Sequence, residues 1–226
     1  MYSVTKEWNP NQKKLSQLLA KQETFDQAIQ LCLQMHNSVH DLKKEISPTV
    51  YQSLLEGLTP AIMKYRPNNS FSSIAWSIWH ITRIEDAVSN ILIADSEQIL
   101  NKEWLEKINI NITDTGNAFT ENDVDIFDEM INTKELLKYR KAVGENTQKI
   151  LQKLKVTERK RKPSKEQLDR IIQEKVLLQE KDSIWLLDFW ANKTVSGLLT
   201  MPITRHQIVH INDCLKLKDK YKRKYV

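Results

Sequence analysis

Glycine is scarce. Gly57, Gly116, Gly144 and Gly197 are the four in a chain of 226 residues, where an average composition would give roughly 7%. Scattered this widely, they form no G-x-G-x-x-G fingerprint, P-loop, kinase glycine loop or G-x-S-x-G nucleophile elbow. Nucleotide-driven chemistry is therefore disfavoured, and helices, which tolerate little glycine, are favoured. Cys32 and Cys214 are the two cysteines. Without C-x-x-C spacing they build neither a disulfide framework nor a thiolate zinc site, and both read as core residues. No apolar run approaches the roughly 20 residues that span a bilayer. The segment from Met1 to Pro10 has no apolar stretch and no small-residue cleavage site, so the expected location is the cytoplasm.

What is present is 40% hydrophobic and 28% charged residues, with a mean hydropathy of −0.52, the composition of a soluble globular protein. Residues 1–226 are expected to form one domain. The net charge of +5 comes largely from Arg159-Lys160-Arg161-Lys162 and the tail Lys216 to Lys224. These read as a solvated loop and a fraying terminus, not as a nucleic-acid surface.

Apolar residues recur at helical spacing, as in Leu15, Leu18, Leu19, then Phe25, Ile29, Leu33, which makes the chain all-α. One long helix is expected from about Lys13 to Lys44, ending before Ser47-Pro48. Thr59-Pro60 reads as N-cap and first position of a short helix. A second long helix follows the Pro67-Asn68-Asn69-Ser70 turn, from about Ser72 to Ala94. Asp95 to Asn132 reads as a long crossover with a turn at Asp114 to Asn117. A third helix is expected from the Thr133 cap to about Val156. Ser164-x-x-Gln167 is a capping box that opens another to about Gln179. Trp185 to Leu199 reads as helical, and Met201-Pro202 begins the last helix. Four long helices with one long crossover define a four-helix bundle with extra short helices, whose sites lie between facing helices.

The five histidines fall on three helices. At about 100° per residue, His80 shares a buried stripe with Trp76, Ile84, Ala87 and Ile91. Ile203, His206, His210, Asp213 and Leu217 share another, and Phe25, Ile29, Leu33, His36 and His40 a third. His206 and His210, four residues apart, place two imidazoles on successive turns at a separation suited to one ion. Several buried imidazoles are costly unless their nitrogens are satisfied, and a shared cation satisfies them.

Ala75-Trp76-x-x-Trp79-His80-Ile81-x-Arg83-Ile84-Glu85-Asp86, with Met201-Pro202-x-Thr204-Arg205-His206-x-x-x-His210, resembles the DinB-like (DinB/YfiT) superfamily of bacterial metal-binding helical proteins. Asp114-Thr115-Gly116-Asn117 resembles the crossover of one uncharacterised branch. The resemblance spans essentially the whole chain. It implies an up-down-down-up four-helix bundle with a divalent ion held by one histidine of the second helix and an H-x-x-x-H pair of the fourth, here His80, His206 and His210. It also implies homodimers in many members, and in some members a transferase or isomerase activity that uses a low-molecular-weight thiol. His36 and His40 lie outside that pattern, as second-shell groups, substrate contacts or proton-transfer groups.

Three imidazoles leave an ion its full charge and an open position, which suits Lewis acid work on water or a thiol. Zinc, nickel and iron all accept imidazole. Arg83 is a candidate for binding an anionic substrate or thiol and Asp213 for orienting a ligand imidazole; an Asp213 to Arg83 salt bridge is the structural alternative. Glu85 and Asp86, more than about 100° from His80 on the helix, read as structural or interfacial. Trp76, Trp79, Trp185 and Trp190 read as core. The expected function is a metal-dependent thiol S-transferase or hydrolase acting on a small electrophile. The alternative is a non-catalytic metal- or small-ligand-binding protein of the stress-response kind.

Overall fold

The computed structural model describes residues 4–43, 45, 47–67 and 70–225, and every regular element among them is helical. Asn68 and Asn69 of the expected turn lie outside the described residues. In chain order the helices are α1 (Asn9–Leu19), α2 (Phe25–His40), α3 (Val50–Leu55), α4 (Pro60–Met63), α5 (Ile74–Ala87), α6 (Lys102–Ile108) and α7 (Glu121–Met130). They continue with α8 (Thr133–Lys153), α9 (Lys165–Gln173), α10 (Lys181–Ala191), α11 (Val195–Thr200) and α12 (His206–Tyr225). A π-helical turn precedes α1 (Val4–Trp8), one extends α5 (Val88–Ala94) and one leads into α12 (Met201–Arg205), while a 3-10 turn (Val156–Glu158) follows α8.

The centre is formed by α2, α5, α8 and α12: α5 packs on α8 and α12, and α2 packs on the same two. Every residue of α5 is buried, because neighbours cover it on all sides. Glu85 and Asp86, read as structural or interfacial, are accordingly interior groups at 0% exposure. No helix among the described residues is long and apolar enough to cross a membrane.

The first expected helix is two. Leu19 and Phe25 are six residues apart, which rotates the apolar stripe by about 240°, and a break at Ala20 to Thr24 realigns it. Thr24 Oγ1 donates to Leu18 O at 2.6 Å across that break. The crossover contains α6 and α7, capped by Asn101 and Thr120. The cap of α8 is Asn132, one residue before the expected Thr133. The Trp185 to Leu199 segment divides at Asn192, and Thr194 caps the second piece. The Thr59-Pro60 start and the Ser164–Gln167 capping box stand as expected, although α9 ends at Gln173.

The first basic cluster is a loop, as expected, but two of its side chains reach helix ends, and the second is helical instead of a fraying end. Arg159 donates to Ala20 O at 3.2 Å, and Arg161 donates to the carbonyls of Leu92 and Ile93. The tail is helical to Tyr225, and Lys218, 4% exposed, caps the end of α3 through Ser53 O, Leu54 O and Glu56 O. These cations close helix ends whose carbonyls lack partners. Cys32 and Cys214 are free and fully buried.

Candidate metal centre

Ser73 starts α5 by accepting from Trp76 N at 2.9 Å, which aims the stripe carrying Trp76 and His80. Trp76 stacks on His80 with ring centroids 4.8 Å apart and 9° between planes. His80 Nδ1–H donates to Thr115 O at 2.8 Å. That bond fixes the tautomer and leaves the Nε2 lone pair facing the centre. The accepting carbonyl comes from the crossover turn, where Asp114 Oδ1 accepts from Gly116 N at 2.7 Å and Trp79 Nε1 donates to Asp114 O at 3.1 Å. Gly116 has φ +73, and a Cβ there would meet Trp76 Nε1 at 3.0 Å. Glycine is needed for both the turn and the close approach.

The other two imidazoles begin α12. Gln207 pins that start to α5, donating to Ile81 O at 3.0 Å and accepting from Arg140 at 3.0 Å. His206 and His210 then project from successive turns. The three rings form a near-equilateral triangle, with centroids 5.0 Å (His80–His206), 4.9 Å (His80–His210) and 4.6 Å (His206–His210) apart. His80 Nε2 and His206 Nε2 stand 3.2 Å apart. Two nitrogens sharing a tetrahedral ion at about 2.0–2.1 Å would be roughly 3.3 Å apart.

Burial pushes His80 down to about 3, with the neighbouring His210 adding to the effect and the Thr115 bond opposing it. Burial, then His80 and His210, also hold His206 well below its usual range. Burial lowers His210, and Asp213 partly offsets this. Neutral imidazoles are what a cation requires. His206 Nδ1 is buried without a hydrogen-bond partner, and it is Nε2 that faces His80 Nε2 across the triad. The donor set fits a divalent ion, and these three residues could hold one.

A cavity of about 310 Å³ opens on the triad, walled by Ile84, Asn117, Trp185, Leu186, Phe189, Trp190, Met201 and Pro202. Trp185, expected in the core, is 51% exposed at this site, while Trp76, Trp79 and Trp190 are buried. Asn117 brings an amide side chain to that wall, and its Oδ1 accepts from Thr115 Oγ1 at 2.8 Å.

The four remaining candidates stand elsewhere. Arg83 is fully buried and absent from the cavity wall. It donates to Asp86 Oδ2 at 3.0 Å, Tyr139 Oη at 3.0 Å, Thr113 O at 2.9 Å and Gln98 Oε1 at 2.8 Å, which ties α5 to α8 and the crossover. Asp213 is exposed and pairs with Lys216 at 2.8 Å. The Asp213 to Arg83 bridge is thus replaced by two separate pairs, because Asp213 sits at the edge of its stripe and Asp86 lies one turn from Arg83. His36 and His40 do not line the cavity either. Their Nε2 atoms meet Glu85 Oε1 at 2.8 Å and Oε2 at 2.7 Å.

Sequence reasoning missed Thr115, Gly116 and Asn117 as parts of the site. The sharp turn was visible in Asp114-Thr115-Gly116-Asn117, but its distance from the histidine helices in sequence concealed the contact.

The fold and the convergent histidines define a helical protein with an imidazole triad at the floor of an apolar cavity. The chain matches the model of the DinB superfamily over residues 43–175 and belongs to that superfamily. The matched segment includes His80 and Thr115 and stops before His206. No curated protein matches the chain.

Proposed function

We propose that the chain is a divalent-metal-dependent enzyme that brings a small, largely apolar electrophile to an ion held by His80, His206 and His210, with water or a low-molecular-weight thiol as nucleophile. The observation that carries this reading is the triad's position on an open cavity instead of in a closed core. When bound, the ion supplies Lewis acidity and lowers the pKa of a coordinated nucleophile. The apolar wall excludes bulk water and grips the substrate's hydrocarbon part. Asn117, its Oδ1 engaged by Thr115, presents its amide N–H to a substrate oxygen. Zinc, nickel and iron all suit this ligand set.

One observation favours the non-catalytic alternative: among the described residues the wall provides no carboxylate or amine as a general acid or base, so an ion and an apolar ligand could be held without turnover. Cobalt-loaded protein separates the two readings. A sulfur-to-cobalt charge-transfer band on adding cysteine or bacillithiol, together with consumption of an electrophile, supports thiol transfer. Hydrolysis of an ester panel without such a band supports attack by water. Binding of an apolar probe with neither response would overturn the enzymatic reading.

A further inference from the structure

We propose that His36, His40 and Glu85 form a second, fully buried site for a divalent metal ion, joining α2 to α5. Three features point to it. First, both imidazoles converge by Nε2 on one carboxylate, at 2.8 and 2.7 Å, with rings stacked at 4.3 Å and 24°. A His-x-x-x-His pair on one helix and a glutamate from another give two nitrogens and a bidentate carboxylate to one ion.

Second, among the described residues the charge on Glu85 has no lysine or arginine paired with it. Its exposure is 0%, and among the described residues its ion-pair partners are the two histidines. Arg140 is the buried guanidinium of this region, but its hydrogen bonds go to Val39 O, Thr82 Oγ1 and Gln207 Oε1. A buried carboxylate without a countercharge is costly.

Third, the chain makes room for the cluster. A Cβ at Gly144 would lie 2.9 Å from Cγ and Cε1 of His40 and closer still to its Nδ1. Glycine inside a helix costs about 1 kcal/mol relative to alanine, and one of four glycines stands in the middle of α8 against this ring.

The two sites differ in access, and the test uses that difference. Full-length protein made without an affinity tag in zinc-supplemented medium is assayed by elemental mass spectrometry before and after dialysis against EDTA. Two ions per chain are expected before dialysis and one after, because the buried ion exchanges only when the core opens. The His206→Ala/His210→Ala variant should keep the chelator-resistant ion, and Glu85→Gln should keep only the labile one. A folded His206→Ala/His210→Ala variant with no ion overturns the second site, whatever becomes of Glu85→Gln. One wild-type ion, lost with the two α12 histidines and kept in Glu85→Gln, refutes the second site and leaves the cavity site standing. One ion with the opposite pattern refutes the cavity site and supports the buried one.

Discussion

Asp128 faces Ser73, whose hydroxyl donates to its Oδ1 at 2.7 Å. Burial pushes its carboxyl up to about 7, against the opposing effects of Ser73, Arg66 and Lys64. An unfolded aspartate titrates near 3.9, so between that value and about 7 the native chain binds the extra proton. Its contribution to stability is therefore complete below about 4 and lost as pH rises through 7. Asp128→Asn keeps the acceptor for Ser73 and removes the charge. In urea melts, its stability relative to wild type should rise between pH 5 and pH 8; a constant difference would contradict the assignment. Gly144→Ala belongs to the same scale. It gains helix propensity, yet displaces His40, so a net loss of 1–3 kcal/mol, roughly that of overpacking a core, is expected in the same melts. A stabilised variant would mean that the His40 ring yields freely.

At the scale of elements, α5 carries the most weight: it holds His80, Arg83, Glu85 and Asp86, all buried, between α8 and α12. Ser73→Ala removes its N-cap, worth about 1 kcal/mol, and also withdraws the donor to Asp128. A double-mutant cycle with Asp128→Asn should show non-additivity in denaturant midpoints, since the two side chains share one bond. The helix was legible in the sequence because its ends are marked, by the Pro67-Asn68-Asn69-Ser70 turn signal before it and by the polar residues from Asp95 after it; the Ser73 cap itself was not read. What the stripe argument could not supply was its burial on every side. Angular position separates an inner from an outer face only when an outer face exists, and for that reason Glu85, read as structural or interfacial, gave no sign that it faces His36 and His40. The split between α1 and α2 was present in the six-residue step from Leu19 to Phe25. Tail helicity was hidden because a lysine-rich stretch reveals its packing only when the carbonyls it caps are known.

For the whole molecule, the meeting of His80, His206 and His210 was legible because their helical stripes face inward and the family resemblance groups them, whereas Arg83 and Asp213 were assigned from angle alone and each pairs one turn along its own helix, with Asp86 and Lys216. A ligand that binds the folded chain and not the unfolded one stabilises it by RT ln(1 + [L]/Kd), about 2.7 kcal/mol at a hundredfold excess over Kd. Zinc added to chelated protein should thus raise Tm. His80→Ala should remove the part of that rise due to the cavity site and most of the chelator-labile zinc. Unchanged labile metal in that variant would show that His80 is not a ligand.

The π-helical turn at Met201–Arg205 runs straight into His206. Its i to i+5 bonds accommodate a residue that an α-helix would not, so the orientation of both α12 histidines depends on a residue count upstream of them. Removing one residue from this turn would advance everything after it by about 100°, carrying His206 and His210 away from His80 with no histidine mutated. Insertions and deletions here act as a phase control on the triad, and chains that share the His-x-x-x-His spelling but differ in this length would differ in whether their imidazoles ever meet.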